Sequence, residues 1–182
     1  MSEKIYLYPV WIRLWHALNA ILIILLIISG VSMQFTNPDN PFIRFDIAVK
    51  MHNISGMILT LNYLFFLAGT IVTPNGKHYK ITLKGLTGRI IKQFTYYTFG
   101  IFKHEPTPFP VTKDSKFNPL QQFTYVAAMF FLVPVVIITG WALLYPELVL
   151  TKFFGGSGLK VNDFIHVIIG FFVSFFMFVH VY

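Results

Sequence analysis

The sequence contains no cysteine and carries little charge: of 182 residues only 12% are Asp, Glu, Lys or Arg. The first absence excludes a disulfide scaffold, a thiol nucleophile and any cysteine-ligated zinc or iron-sulfur cluster. A metal in this chain must be held by nitrogen, oxygen or methionine sulfur. With no thiols, cysteine usage gives no information on redox compartment. The second absence excludes a soluble globular domain, because such domains carry about 25% charged residues. Acidic residues are scarcest, seven against fourteen basic ones, and the formal net charge is +7. What fills the chain instead is apolar: 55% of residues are hydrophobic, 21 are Phe, and the mean hydropathy is +0.66.

A membrane helix needs roughly 20 apolar residues, and four stretches qualify, at about 11–35, 47–72, 119–145 and 163–182. The expected fold is all-α: a single membrane domain built as an integral four-helix bundle. The first stretch is too long for the apolar region of a signal peptide, and no small-residue cleavage site follows Gly30, so it reads as a retained anchor. The fourth is still apolar where the sequence stops at Tyr182, which suggests a missing or very short tail.

Basic residues predict the orientation, because loops rich in Lys and Arg stay in the cytoplasm. The segment 74–118 holds Lys77, Lys80, Lys84, Arg89, Lys92, Lys103, Lys113 and Lys116 against only Glu105 and Asp114. The other two connections are nearly neutral, with Arg44 and Lys50 facing Asp39 and Asp46, and Lys152 and Lys160 facing Glu147 and Asp163. The long loop and both termini are therefore expected on the cytoplasmic side. Within that loop Leu83, Leu86, Ile90, Phe94, Tyr97 and Ile101 recur at helical spacing. They predict an amphipathic helix over about 83–101 lying on the inner membrane surface, with a loop docked on a partner as the plainer alternative.

Ionisable residues inside a span are costly and usually functional. Here they are His16, His52, His166 and His180. His166 and His180 lie 14 residues apart, within about 40° of one helical face and about 21 Å along the axis. One side of the fourth helix thus presents an imidazole near each membrane surface. Span order and orientation place His166 at the outer depth with His52, and His180 at the inner depth with His16. Two imidazoles facing each other at one depth suit bis-histidine ligation of a haem iron, so two stacked haem sites are expected. Gly30, Gly56 and Gly170 fall near these depths, where a helix backbone must come close to a bulky ring, although small residues also serve ordinary helix packing. His78 and His104 have no partner at matching depth and are expected to be solvated or at an interface. Trp11, Arg13 and Lys4 could meet haem propionates or act as ordinary interface anchors.

Other chemistries lack their residues. There is no paired carboxylate within a span, no phosphate-binding glycine loop and no HExxH. The basic charge flanks membrane spans, so lipid and topology explain it better than nucleic acid.

With RLWHALNA opening the first span, MHNISG opening the second, FNPLQQ leading into the third and His-x13-His in the fourth, the sequence resembles a known group. These are the di-haem cytochrome b membrane subunits of bacterial respiratory formate dehydrogenase, nickel-iron hydrogenase and thiosulfate reductase. The resemblance implies that two haem b groups are held by His16 with His180 and by His52 with His166, the pairs that depth had already given. It implies a quinone, menaquinone or ubiquinone, beside the inner haem at Asn118 and Gln121, with Gln122 in reserve. Polar caps at a helix start with Pro119 in the first turn would explain the same residues. It further implies a bacterial inner-membrane location and an outer-face partner carrying iron-sulfur clusters or multiple c-type haems, with a catalytic subunit. The function implied is electron transfer between that partner and the quinone pool. The sequence departs from the group in ending two residues after His180, so that cover over the inner site would come from the loop 74–118 or another subunit. Two competing readings remain: a self-sufficient cytochrome b that oxidises superoxide or another small donor, and a haem-free anchor or transporter.

Overall fold

A computed structural model describes residues 7–37, 39–112, 115–148, 152–153 and 156–181. Lys4, Lys113 and Asp114, which entered the charge and anchor arguments above, lie outside the described residues.

Four helices are long and apolar enough to cross a membrane: Val10–Phe35, Phe45–Val72, Pro119–Leu144 and Gly158–Val181. In hydrocarbon every backbone amide and carbonyl must be satisfied within the segment, and a helix does this for uniformly apolar runs. The architecture is thus an all-α membrane four-helix bundle. A two-residue antiparallel ladder, Lys152–Phe153 against Gly156–Ser157, closes the turn between the third and fourth spans. The fourth helix begins at Gly158, five residues before the predicted start at 163. Its first two turns carry Lys160, Asn162 and Asp163, polar residues that an apolar count rejects but a helix terminus accepts.

Local chemistry sets the ends. Span one starts after Pro9 and stops at Phe35, and the following turn is held by Asn37 Oδ1 accepting from the amide of Asp39. Ser32 Oγ, bonded to both the amide and the carbonyl of Ile43, ties that turn back to the helix. Span two stops at Val72, where Thr73 takes an extended conformation ahead of Pro74. Span three opens on a full capping box: Asn118 Oδ1 accepts from the Gln121 amide, and Gln121 Oε1 accepts from the Asn118 amide. Pro119 sits in the first turn, where no amide donor is needed. Span three is not uniform. Ala128–Leu132 form a π-helical turn just before Pro134. The proline lacks an amide and crowds the carbonyl one turn back, and the wider turn relieves both problems.

The core has two layers. Ile12, Trp15, Tyr63, Phe66 and Val133 pack at one end, with Trp15 stacked on Phe66 at 4.5 Å and its Nε1 donating to the carbonyl of Asn62. Leu22, Ile23, Leu59 and Val173 form the layer at mid-depth. Gly69 lets the Trp11 ring lie against span two, since a Cβ there would sit 2.7 Å from two of its carbons. Many large apolar side chains face outward, among them Phe175, Phe178 and Ile138. In a bilayer these meet acyl chains rather than water.

The loop 74–118 folds over one end of the bundle. Its helix runs over Leu86–Thr95, continues as a π-helical turn Tyr96–Gly100 and ends in a 3-10 turn Ile101–Lys103. It is shorter than the predicted 83–101 because Gly85 takes a left-handed conformation, φ +67°, and starts the helix at Leu86. Gln93 and Gly100 turn inward and are buried, while Ile91, Phe94, Ile101 and Phe102 remain exposed on the other side.

Candidate functional site

The four intramembrane histidines form two couples. The ring centres of His52 and His166 are 6.1 Å apart, and those of His16 and His180 are 5.9 Å apart. The couples are the ones that span order and depth predict. They lie at opposite ends of the bundle because each pairs one of the two histidines that face the same way along span four.

Surroundings differ between the couples. His52 and His166 are half-buried and line a cavity of about 570 Å³. Gly30, Gly56 and Gly170 all border this cavity, joined by Gly140. A Cβ on Gly30 would lie 3.4 Å from Cε1 of His52, in van der Waals contact with the imidazole itself. Gly56 and Gly170 leave open space: the former has only Leu26 Cδ2 at 4.0 Å, the latter nothing within 4 Å. The other couple is more open, with His16 and His180 both exposed in the isolated chain. Aromatic rings flank His180: Phe176 stacks on it at 5.4 Å and Tyr125 meets it edge-on at 5.3 Å.

Three features were not picked out from the sequence. Ser29 Oγ lies 2.9 Å from Nδ1 of His52, and Thr139 Oγ1 lies 2.9 Å from Nδ1 of His166. Gly140 lies against His166 as Gly30 does against His52, and more closely: a Cβ there would be 3.2 Å from Cε1. Between the couples, Asn62 Nδ2 donates to Asn19 Oδ1, a polar link from span two to span one. The one available signal was the dipeptide itself, Ser-Gly in span one and Thr-Gly in span three, each inside an apolar run.

The residues expected to meet a quinone lie at the start of span three, at the end of the bundle that holds His16 and His180. Asn118 and Gln121 serve as the capping box, and Asn118 Nδ2 also donates to the Tyr97 hydroxyl at 2.8 Å. Gln122 Nε2 donates to the carbonyls of His78 and Lys80. That leaves Gln121 Nε2 and Gln122 Oε1 without hydrogen bonds among the described residues. Both lie one turn before Tyr125, the ring that touches His180. His78 is buried beside Phe117 rather than solvated, because the six-residue turn Pro74–Tyr79 folds inward under the start of span three. His104 is exposed at a left-handed position, φ 56°. Trp11 packs between spans one and two, edge-on to Phe65.

Loop electrostatics follow burial. Lys116 donates to Asn75 Oδ1 and lies over the Tyr8 ring. Partial burial, and then the neighbouring Lys77, make its ammonium easier to deprotonate than an ordinary lysine. Burial pushes the Tyr79 phenol up to about 12, so at neutral pH it is only ever the protonated form.

The donor set fits a haem better than a bare ion. Among the described residues no group of three or more His, Asp or Glu converges, so each couple offers only two nitrogens. A porphyrin would supply the other four. Two metal–imidazole bonds of about 2.0–2.1 Å, with the further ~1.1 Å from each nitrogen to its ring centre, put ring centres roughly 6 Å apart. Both couples stand at that separation.

Comparison with known proteins gives the same direction. The family described as prokaryotic cytochrome b561 matches residues 7–182. YdhU of Escherichia coli (strain K12), which carries the name "Putative cytochrome YdhU", is 40% identical over 181 residues, covering 100% of this chain and 68% of YdhU. No solved structure matches the chain.

Proposed function

Because this chain belongs to the prokaryotic cytochrome b561 family, and so is a multi-pass inner-membrane cytochrome b with an electron-transfer role, we propose that it is the di-haem membrane-anchor subunit of a respiratory oxidoreductase. It links a redox partner on the outer face to the quinone pool. The observation that carries this reading is the presence of two imidazole couples at opposite ends of one bundle, each with its ring centres about 6 Å apart.

In this reading His52 and His166 hold the outer haem b, and His16 and His180 hold the inner one. Bound haem supplies reversible one-electron chemistry at iron, with a potential set by its axial ligands and their surroundings. The protein keeps the two sites in register through span four, whose two histidines are about 21 Å apart along the axis. It also keeps water from the space between them with the Leu22, Ile23, Leu59 and Val173 layer. At the inner end Gln121 Nε2 donates to a quinone carbonyl, and Gln122 Oε1 accepts from the hydroxyl of the reduced form. Asn118 holds the start of span three in place for both, through its cap and its bond to Tyr97. Quinone reduction there takes up two electrons and two cytoplasmic protons. Charge therefore crosses the membrane, worth about 2.3 kcal/mol per charge per 100 mV.

Without cysteine the chain has no iron-sulfur ligands. The donor side is accordingly a second polypeptide with iron-sulfur clusters or multiple c-type haems, together with a catalytic subunit. Purification in mild detergent tests this. The expected result is a complex containing such a subunit, with quinone reduction dependent on it. A chain that purifies alone with its haems and turns over steadily with superoxide or another small donor would overturn the subunit reading.

A further inference from the structure

Two spans carry the same dipeptide pattern, hydroxyl then glycine, and each pattern meets a histidine on the next span. Ser29 and Gly30 of span one meet His52 of span two, and Thr139 and Gly140 of span three meet His166 of span four. The geometry points to a matched pair of clamps, in which the Ser29 and Thr139 hydroxyls fix the tautomer and ring orientation of the outer axial histidines and lower the potential of a haem held between them below the value it would have without the two hydroxyls.

Proton counting supports the tautomer. A serine or threonine hydroxyl has one hydrogen to give. Ser29 Oγ is 2.6 Å from the carbonyl of Leu25, and Thr139 Oγ1 is 2.7 Å from the carbonyl of Val135. A carbonyl can only accept, so each hydroxyl hydrogen is committed to its own helix one turn back. The hydroxyl oxygen then faces Nδ1, 2.9 Å away, as an acceptor. The imidazole hydrogen therefore sits on Nδ1, and Nε2 keeps the lone pair that an iron needs. Ser29 is fully buried and Thr139 nearly so, which keeps water from replacing either contact.

The glycines supply the other half of each clamp. A Cβ at Gly140 would lie 3.2 Å from Cε1 of His166 and press on that ring, while one at Gly30 would lie 3.4 Å from Cε1 of His52, in plain contact, so that side chains larger than alanine at either place would push the imidazole from its hydroxyl. Asn162 Nδ2, donating to the Thr139 carbonyl, further ties the start of span four to this part of span three. The inner couple has no such device: among the described residues neither the His16 nor the His180 ring is hydrogen-bonded, and His180 is flanked by aromatic rings instead. A partner that accepts the outer hydrogen of an axial histidine makes that ligand more basic, which favours ferric over ferrous iron. The clamps would thus make a haem held at the outer site more reducing than the same site without its two hydroxyls.

The inference rests on the assignment of His52 and His166 as ligands, so the experiment includes their variants. Ser29→Ala and Thr139→Val are compared with the hydroxyl-retaining Ser29→Thr and Thr139→Ser in the purified complex, by haem counting and spectroelectrochemical titration. The expected result is that each hydroxyl deletion raises the midpoint potential of one of two haem transitions, additively in the double variant, and leaves the other transition in place. Haem affinity at that site falls about 10- to 100-fold, and the hydroxyl-retaining variants restore the wild-type potential. Unmoved potentials in the double variant, or hydroxyl-retaining variants that behave like the deletions, would overturn the clamp. If His52→Ala and His166→Ala leave the haem complement whole, the ligand assignment itself has failed. If they remove one haem while the clamp variants change nothing, the clamp alone has failed.

Discussion

Imidazole is costly to leave in hydrocarbon, so each of the four intramembrane histidines needs a reason to be there. That cost makes them legible in the sequence: against an apolar background four such residues stand out, and helical geometry does the rest. Their hydroxyl partners were not legible. Ser29 and Thr139 each bond a carbonyl four residues back, which any serine or threonine in a membrane helix can do. Only the rotation of one helix against the next reveals that the same oxygen also meets an imidazole. The polar residues of the loop behave differently, since burial rather than pairing governs them. For Tyr79 the folded phenol titrates at about 12, against 10.0 in the unfolded chain. Between those values the folded state keeps a proton that the unfolded state has released, so stability falls as pH rises through the window and is unaffected below it. Thermal unfolding in detergent from pH 8 to 12 should show wild type and Tyr79→Phe running parallel up to about pH 10. Above that the wild type should lose stability faster. Curves that stay parallel throughout would remove burial of this phenol as a source of alkaline sensitivity.

At the scale of elements, span three decides most of the local geometry. Its start is capped by Asn118 and Gln121, and its middle is widened by the π-helical turn at Ala128–Leu132. One residue inserted into a helix turns every later face by about 100°. A helical wheel drawn from Asn118 therefore misplaces Thr139 and Gly140, which is why this part of the site could not be read in advance. The apolar arc from Leu83 to Ile101 was legible as a helix, but the left-handed Gly85 that shortens it is a backbone choice that glycine permits without requiring. The same element scale separates two roles of Asn118. Asn118→Ala removes the cap and the bond to Tyr97, and should cost about 1 kcal/mol, within a range of 0.5–2, seen as a lower melting temperature. Asn118→Asp keeps the capping oxygen and should recover most of that loss. An alanine variant as stable as wild type would mean the capping box carries no weight.

For the molecule as a whole, charge asymmetry and pairing depend on one topology. Eight of the fourteen basic residues lie in the loop 74–118, and the positive-inside rule predicts a cytoplasmic position for that loop. The absence of cysteine makes this easy to examine. A single cysteine in place of Asn40, between spans one and two, should react with a membrane-impermeant maleimide in intact spheroplasts. One in place of Lys92 should react only after the membrane is opened. The reverse pattern would invert the bundle and exchange the inner and outer sites. The bundle itself was legible because hydrophobic length is enough to define a span. The proposed partner and its substrate were not, because span length and charge asymmetry carry no information on what binds the outer face.

The central claim is that two haem b groups are held by two specific couples. Its most direct test is a dithionite-reduced spectrum with haem counting on the purified protein and on His16→Ala, His52→Ala, His166→Ala and His180→Ala. The account predicts two haems per wild-type chain and about one in each variant. Loss in His52→Ala and His166→Ala should leave the same spectral species, and loss in His16→Ala and His180→Ala should leave the other. A wild-type chain with a single haem, or variants whose losses group in any other pairs, would contradict it.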